Sequence, residues 1–389
     1  MSDDWHGWYQ NRPESGHQPT EAYQAGGQGE ATRNRAGAWP TQPPPRSAPD
    51  RDEPERWGLG GGGGRRWRFW GQPGRRGRRI ALVIGAVVAV LIAGTAGSYF
   101  WLDGKLNKSV TLPTTTLTSA GTNWLITGSD SRAGLSSAQI RQLHVGFNSG
   151  TLNSDSIMLL HMGSGRPVLI SIPRDSYVDI PGHGWNKINA TLAFGGANLL
   201  IKTIENVTGL RIDHYMGIGF GGLVSVVNQI GGVPMCLKSA VKDSYSGVHL
   251  AAGCHNLNGT QALAFVRDRH SFAIGDLQRI QDQRAFLSAL LNKATSPGVY
   301  LNPFTALPFG STAASSMSVD TGTSLLDLAH AAFALRGPQT GTVPIANPNY
   351  ATSAGDAVLW NKTKATELFN ALKTGSTIPQ GLLAGTAVG

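Results

Sequence analysis

The amino-acid sequence predicts an α/β domain, with a central mixed β-sheet flanked by helices on both faces, behind a single N-terminal transmembrane helix. Three observations lead to this prediction. Residues 80–102 carry no charge, three short apolar segments have the length and composition of buried strands, and helical patterns lie between and after them. Interleaved strands and helices are typical of a sheet that is covered by helices.

The uncharged run is long enough to cross a bilayer, because its 23 residues span roughly 35 Å at about 1.5 Å per residue. Residues 65–79 before it contain seven Arg and no acid, and Tyr99, Phe100 and Trp101 lie at its far end. This asymmetry predicts a single-pass protein of the cell membrane with a cytoplasmic N-terminus and an extracytoplasmic domain. A cleaved signal peptide is the alternative, although a leader of this length would be unusual.

Composition divides the chain into five segments. Residues 1–79 are rich in Gly, Pro and Arg without apolar periodicity, which predicts disorder on the cytoplasmic side. The transmembrane helix at 80–102 leads into a Thr-rich stalk at 103–120, an extracytoplasmic domain at 121–375 and a flexible tail at 376–389. Much of the basic excess lies in one block beside the apolar run, so the high isoelectric point does not indicate a nucleic-acid partner.

Within the domain, short apolar runs predict strands at Asn123–Gly128, Ser156–Met162 and Pro167–Ile172. Periodic apolar positions and capping residues predict the helices. These are a helix in 191–209 closed by Gly209, a helix in 219–232, a short helix capped by Asn258 that runs to Val266, a helix at Leu277–Lys293, and a strand followed by a helix in 357–375.

Two aspartates lie at polar corners of the predicted sheet. Asp130 follows the first strand and Asp155 precedes the second. If these strands are antiparallel neighbours, both carboxylates lie at the same sheet edge. Two carboxylates, completed by water and phosphate oxygens, suit Mg²⁺, with Mn²⁺ as a possible substitute. The alternative is that each Asp only caps a turn.

Basic and amide side chains follow the third strand. Arg174 and Asp175 come directly after it, and an arginine there offers a fork of donors to a phosphate. An Arg–Asp surface pair is the alternative. Lys187 and Asn189 then precede a helix whose N-terminus could hold an anion.

The stretch "AFVRDRHSFAIGDLQRIQDQ" carries a dense run of charge. If the chain is extended after Val266, Arg267 and Arg269 point to one side. Asp276 would cap the following helix, where the helical period places Arg279 and Gln283 on the flank of the apolar stripe, towards the domain.

The sequence contains two cysteines, Cys236 and Cys254, both on the predicted outer side. In an oxidising compartment they would form a disulfide that contributes about 3 kcal/mol to stability. Two unrelated buried thiols are the alternative.

Over roughly residues 121–373 the chain resembles the LytR-CpsA-Psr family of cell-wall glycopolymer ligases, and its two cysteines resemble the actinobacterial branch. Any one of the motifs is weak, but eight in family order behind an anchor are specific. The motifs are "GSDSR" (128–132), "SDSIMLLHM" (154–162), "SIPRDSYVDIPG" (171–182), "KINATLAFGG" (187–196), "IDHYMGI" (212–218), "IGGVPMCL" (230–237), "LNGTQALAFVRDRH" (257–270) and "GDLQRIQDQ" (275–283).

The resemblance implies a membrane-anchored, Mg²⁺-dependent phosphotransferase. Such an enzyme moves an anionic glycopolymer from a polyprenyl-pyrophosphate carrier to peptidoglycan and releases polyprenyl phosphate. The resemblance implies Asp130 and Asp155 as metal ligands, Arg174, Arg267, Arg269 and Arg279 as the pyrophosphate clamp, and Arg132, Asp175, Lys187, Asn189, Asp276 and Gln283 as further substrate-binding residues.

Two positions depart from the family pattern, because Asn153 and Asp282 stand where the family usually carries Arg. Both changes remove positive charge near the expected phosphate site, although the helical period turns Asp282 outward. The segment Leu199–Val207 either lines a prenyl groove or is ordinary core. Two other functions remain open: a pyrophosphatase with water as acceptor, and a non-catalytic envelope protein that binds anionic polymer or prenyl phosphate.

Overall fold

The fold is built around one seven-stranded sheet in the computed structural model, which describes residues 75–145, 153–268 and 276–383. The strands are β1 Asn107–Val110, β2 Thr122–Ser129, β3 Ser154–Met162, β4 Val168–Ile172, β5 Tyr177–Ile180, β6 Gly184–Lys187, β7 His214–Gly219, β8 Val233–Leu237, β9 Val241–Asp243, β10 Val248–Leu250, β11 Gly253–Leu257, β12 Met317–Asp320, β13 Gln339–Thr342, β14 Ile345–Tyr350 and β15 Ala357–Trp360.

Helices pack around this sheet. They are α1 Arg75–Asp103, α2 Ser137–Gln142, α3 Thr191–Thr208, α4 Phe220–Gln229, α5 Gly259–Val266, α6 Asp276–Ala294, α7 Pro297–Tyr300, α8 Pro303–Ser316, α9 Leu325–Ala334, α10 Lys362–Thr374 and α11 Gln380–Leu383, with a 3₁₀ turn at Ile188–Ala190.

The large sheet is mixed, with strand order β1-β12-β7-β2-β3-β4-β13. Strands β2, β3 and β4 run antiparallel to their neighbours in that group, whereas β7 is parallel to β2 and β13 is parallel to β4. The four remaining pairs of strands form separate hairpin-like ribbons: β5–β6, β8–β11, β9–β10 and β14–β15. The predicted fold class is therefore confirmed.

Side chains of both sheet faces are buried. Trp124 and Ile126 of β2 pack with Met158 and Leu160 of β3 and with Leu335, which follows α9. The alternate residues of the same strands point to the opposite face, and they include Leu125 and Leu159, which are fully buried. Burial on both sides explains why these strands are continuous apolar runs in the sequence.

Helix α3 belongs to the core. Leu200, Ile201 and Ile204 are fully buried, so the alternative of ordinary core is confirmed for most of the segment that could have lined a prenyl groove. Gly209 ends the helix at a φ of 67°, as predicted, because a left-handed C-cap favours glycine.

Two segments outside the predicted domain boundaries have regular structure. β1 (Asn107–Val110), in the predicted stalk, pairs in parallel with β12 and forms one edge of the sheet. α11 (Gln380–Leu383), in the predicted tail, packs near β13, and Leu382 is buried. Neither segment is long or periodic enough to be recognised by its pattern alone.

Helix α1 contains the predicted transmembrane segment. Within its part Gly77–Asp103, a window of 18 residues has a mean hydropathy of 2.5, so the helix is long and apolar enough to cross a membrane by length and composition. Its large apolar side chains are mostly exposed, including Leu91 at 63% and Val90 at 70%. This exposure distinguishes α1 from a helix that is buried in the core of a soluble protein.

The predicted disulfide is present. Cys236 of β8 and Cys254 of β11 lie directly opposite each other in the antiparallel pair and are bonded. The disulfide links the two strands of the β8–β11 ribbon, which packs against α6.

A buried histidine in β3 makes the domain sensitive to pH. His161 is 5% exposed and lies 2.8 Å from Asn123 Oδ1 through its Nδ1 atom. Burial lowers the pKa of His161 below its usual 6.5, and the nearby Asp213 opposes this effect only in part. The folded state therefore binds this proton less readily than the unfolded state, and stability present above pH 6.5 is lost as the pH falls below it.

We expect His161→Gln to reduce the dependence of the free energy of unfolding on pH between about pH 7 and pH 5, because glutamine does not titrate. Denaturant unfolding of the full chain in detergent at several pH values measures this slope. Equal slopes for the two proteins would show that His161 does not contribute.

Candidate active site

Four neighbouring strands of the sheet, β7, β2, β3 and β4, each have one end on the same side of the sheet. Ser129, the last residue of β2, is paired with Ser154 of β3 and also with Gly219 of β7. Ile157 of β3 is paired with Ile172 of β4. Continuing these registers by one or two residues places Asp130, Asp155 and Arg174 side by side, and the antiparallel arrangement had predicted this for the two aspartates.

Asp130 is held by Asn153, the residue just before β3. Its Oδ1 accepts a hydrogen bond of 2.9 Å from the backbone N–H of Asn153, and its Oδ2 accepts one of 3.4 Å from Asn153 Nδ2. The backbone N–H of Asp130 in turn donates to the Asn153 carbonyl at 3.2 Å. The asparagine that replaces an expected arginine thus orients one of the two predicted metal ligands.

Arg174 lies between two carboxylates. Its Nη1 donates to Asp155 Oδ1 at 3.1 Å, and its Nε donates to Asp175 Oδ2 at 3.3 Å. Lys187 Nζ lies 3.8 Å from the other oxygen of Asp175. These four side chains are each between 21% and 23% exposed, so this row of alternating negative and positive groups is partly shielded from solvent. The arrangement fixes the Arg174 guanidinium while one side stays open to the cleft.

Asn189 lies within the 3₁₀ turn Ile188–Ala190, which leads into α3. Its backbone N–H donates to the Arg174 carbonyl at 3.0 Å, which joins the segment after β6 to the segment after β4. Lys187 and Asn189 precede α3, as predicted, and their roles in substrate binding stay a prediction.

Arg267 approaches from the opposite wall. Its Nη1 donates to the Leu143 carbonyl at 2.8 Å, and its Cζ lies 5.2 Å from the centroid of the Phe220 ring. The prediction that the chain becomes extended after Val266 is wrong at Arg267, which keeps helical angles as the C-cap of α5. The N-cap Asn258 forms a full capping box with Gln261, so the start and the length of α5 agree with the prediction.

These residues line a polar cleft with a volume of about 470 Å³. Six predicted site residues line it, whereas Asp175 and Lys187 lie behind Arg174. The lining residues are Asp130, Arg132, Val145, Asn153, Asp155, Arg174, Asn189, Phe220, Asp243, Tyr245, Ser246 and Arg267.

An apolar cavity of about 390 Å³ adjoins the cleft, lined by α4, α5, α6, α8 and α9 over the sheet. Asp155, Phe220 and Arg267 line both spaces, so they form the boundary between them. Leu287 and Leu291 of α6 line the apolar cavity.

Four predicted residues cannot be placed. Arg269 lies outside the described residues, and the side chains of Asp276, Arg279 and Gln283 also lie outside them, although α6 itself is described. The side chain of Asp282 falls in the same part of α6. The predicted inward direction of Arg279 therefore stays a prediction.

Several lining residues were not predicted. Asp243, at the end of β9, accepts hydrogen bonds from the backbone N–H groups of Tyr245 at 2.9 Å and Ser246 at 3.3 Å, which presents this turn to the cleft. The "DSYSG" sequence signals a turn, but nothing in it indicates which part of the fold the turn meets.

Phe220 begins α4 directly after β7. Gly221 permits its position, because a Cβ there would lie 1.9 Å from the Ala133 carbonyl oxygen. The glycines of "GIGFGG" signal such a close approach.

The donor set of the cleft fits a hard divalent cation. Asp130 and Asp155 place two carboxylates in a space that phosphate groups can enter. Mg²⁺ usually takes one or two protein carboxylates and completes its shell with water and phosphate oxygens. Asp130 accepts two hydrogen bonds from Asn153, which leaves acceptor capacity for a cation, because an ionised carboxylate has about four lone-pair sites.

The comparisons with known proteins agree with this geometry. The model of the LytR_cpsA_psr family matches residues 103–374. A "Probable cell wall biosynthesis protein LcpB" from Corynebacterium glutamicum is 43% identical over 314 residues, which cover 78% of this chain and 75% of that protein. The chain therefore belongs to the LytR-CpsA-Psr family.

More distant relatives have named activities and solved structures. TagT of Bacillus subtilis, named a polyisoprenyl-teichoic acid–peptidoglycan teichoic acid transferase, is 40% identical over 134 residues, or 33% of this chain and 41% of that protein. The structure of a LytR-Csp2A-Psr enzyme from Actinomyces oris superposes with a TM-score of 0.54 at 22% identity, covering 69% of this chain and 96% of that one. The predicted class, an enzyme that transfers a glycopolymer to peptidoglycan, agrees with the name of TagT.

Proposed function

We propose that the chain transfers an anionic glycopolymer from a polyprenyl-pyrophosphate carrier to a hydroxyl group of peptidoglycan and releases polyprenyl phosphate. One observation carries this proposal: a polar cleft with carboxylates and arginines shares Asp155, Phe220 and Arg267 with an apolar cavity. A diphosphate that links a sugar to a long hydrocarbon chain needs these two environments next to each other.

In this function the cleft holds the diphosphate and the cavity holds the first part of the prenyl chain. The attacking hydroxyl oxygen forms a bond to the phosphorus that carries the polymer, the bond from that phosphorus to the bridging oxygen breaks, and polyprenyl phosphate leaves with the bonding pair. The hydroxyl proton is lost to solvent or to a base. Arg174 and Arg267 stabilise the charge that develops on the phosphoryl oxygens.

Asp130 and Asp155 would hold Mg²⁺, which would neutralise phosphate charge when bound. Asn153 keeps Asp130 in place, and Asp175 keeps Arg174 in place from the side away from the cleft. Lys187 partly neutralises the charge of Asp175 and so weakens the electrostatic attraction between Asp175 and Arg174. Arg132 and Asn189 line the cleft and would contact the outer phosphate or the first sugar.

The relatives act in wall synthesis, and α1 is a candidate membrane span, so the protein is proposed to be membrane-anchored. The arginines of residues 65–79 support an orientation with the N-terminus in the cytoplasm and the catalytic domain outside it. This position gives the site access to both the lipid carrier and peptidoglycan.

The cavity assignment predicts a dependence on lipid length. Ala332 of α9 lines the apolar cavity, and Ala332→Phe would fill part of it. We expect turnover of a long-chain polyprenyl-diphosphate substrate to fall about tenfold, while a short-chain analogue is turned over at close to the wild-type rate.

His330→Phe is the matched control, because His330 is an exposed residue of the same helix. Steady-state kinetics on the two lipids separate the outcomes. An equal loss on both lipids, or no loss on the long one, would contradict the placement of the prenyl chain in this cavity.

A further inference from the structure

The segment formed by α7 and α8 exposes large apolar side chains. Phe304 is 90% exposed, Leu301 is 69% exposed and Leu307 is 37% exposed. The sequence has no charged residue from Ala294 to Val319, a stretch of 26 residues that includes both helices. Large apolar side chains that are exposed together in one uncharged segment are typical of an interaction site.

The segment lies against the end of the membrane helix. Leu106, just after α1, packs in one cluster with Ala314. One turn lower, a Cβ on Gly310 would lie 3.3 Å from Leu102 Cδ1. Lower still, a groove is lined by Gly97, Ser98 and Trp101 of α1 and by Leu307, Pro308, Ser311 and Thr312 of α8. At each of these three levels, a residue of α8 lies beside the residue that precedes it by about 208 positions in the sequence. The two helices therefore run in the same direction.

This register gives the depth of Phe304. Phe304 precedes Gly310 by six residues, or about 9 Å along a helix. It is therefore level with the turn of α1 that precedes Tyr99, Phe100 and Trp101. An aromatic cluster of this type lies at the membrane–water interface, so Phe304 lies on the hydrocarbon side of it.

Charged groups mark the same boundary from the other side. Lys105 Nζ lies 5.5 Å from the centroid of the Trp101 ring, and Lys108 forms an ion pair with Asp103 at 2.9 Å. All three charged residues follow the aromatic cluster, so the polar phase begins above it.

Helix α8 also forms a wall of the apolar cavity. Phe309, Gly310, Ala313 and Ala314 line that cavity, while Leu307, Pro308 and Ser311 face α1. Helix α8 therefore lies between the apolar cavity and the side of the domain on which α1 lies.

We propose that Leu301, Phe304 and Leu307 form a second membrane contact, which inserts into the acyl-chain region of the bilayer beside α1. The contact holds the domain with α8 at the membrane surface. If the proposed function is correct, it also allows the prenyl chain to pass from the bilayer into the cavity along α8 without crossing water. The occupant is the lipid bilayer, because the register with α1 places Phe304 below the interface and Leu307 level with the aromatic cluster.

Site-directed labelling in the full-length protein tests this contact. The native cysteines are joined in a disulfide, so Phe304→Cys introduces a single free thiol for a fluorescent label. Thr363→Cys, at an exposed position of α10, is the control. In phosphatidylglycerol-containing vesicles, brominated acyl chains should quench the label at 304 several-fold more strongly than the label at 363, and a water-soluble quencher should show the reverse.

Equal access of the water-soluble quencher to both labels would overturn the proposal. Protection of the label at 304 from water without quenching by brominated lipid would also overturn it, because a second copy of the chain would then cover this surface. This measurement does not depend on catalysis, so its result is separate from that of the proposed function.

A kinetic measurement adds the functional consequence. Replacing both Leu301 and Phe304 with Ser should lower turnover of a long-chain carrier in vesicles about tenfold and leave turnover of a short, water-soluble analogue unchanged. Equal turnover of the long-chain carrier by variant and wild type would overturn the role in lipid entry.

Discussion

Replacing Asp155 with Ala should lower kcat/KM for a polyprenyl-diphosphate-linked glycopolymer by at least about 100-fold, and Asp130→Ala should do the same. Both carboxylates line the cleft and are the proposed Mg²⁺ ligands. Asp155 also accepts a hydrogen bond from Arg174, so its loss removes a ligand and releases a clamp residue. Kinetics over a range of MgCl₂ concentrations measures both effects.

Asp179→Asn provides a matched control, because Asp179 lies in the neighbouring β5–β6 ribbon and does not line the cleft. We expect this variant to keep the wild-type rate and Mg²⁺ dependence. Thermal unfolding of each variant separates loss of the site from loss of the fold. Normal Mg²⁺-dependent turnover by folded Asp130→Ala and Asp155→Ala proteins would rule out the metal assignment.

Replacing Arg174 with Ala should reduce kcat/KM by about 100- to 1,000-fold. The substitution removes a donor for the phosphoryl oxygens, and it leaves Asp155 in the cleft and Asp175 behind it without their shared cation. Arg174→Lys keeps the charge but loses the planar fork, so it should recover only part of the activity.

Arg211→Ala is the matched control for the loss of an arginine. Arg211 is 54% exposed and pairs with Asp213 away from the cleft. Its replacement should leave kcat/KM near the wild-type value. Similar losses for Arg174→Ala and Arg211→Ala would mean that Arg174 acts through general charge and not through contact with the substrate.

The convergence of Asp130, Asp155 and Arg174 could be predicted because it depends on local features. Each residue lies within three positions of a strand end, and short connections favour adjacent strands. Antiparallel pairing of β2, β3 and β4 then brings the residues to one edge. Likewise, Asn258 and Gly209 signal helix ends through interactions within a single turn.

Other parts depend on contacts between distant segments. The turn at Asp243–Ser246 reaches the cleft about 110 residues after Asp130, and no local pattern encodes that meeting. Helix α8 contains Pro308 and many Gly, Ser and Thr residues, which are poor helix formers, so packing against α1 and α4 determines its structure. From the sequence, Asn153 only removes a positive charge that the family usually carries near the site. Its hydrogen bonds to Asp130 can be recognised only once the strands are paired.

The most direct test is product analysis with the full-length protein, Mg²⁺, a defined polyprenyl-diphosphate-linked glycopolymer and peptidoglycan. We predict that mass spectrometry detects the polymer joined to peptidoglycan through a phosphodiester, together with an equal amount of polyprenyl monophosphate. Release of polyprenyl monophosphate with free polymer phosphate and no attached polymer would identify a pyrophosphatase instead. No consumption of the lipid would contradict catalysis at this site.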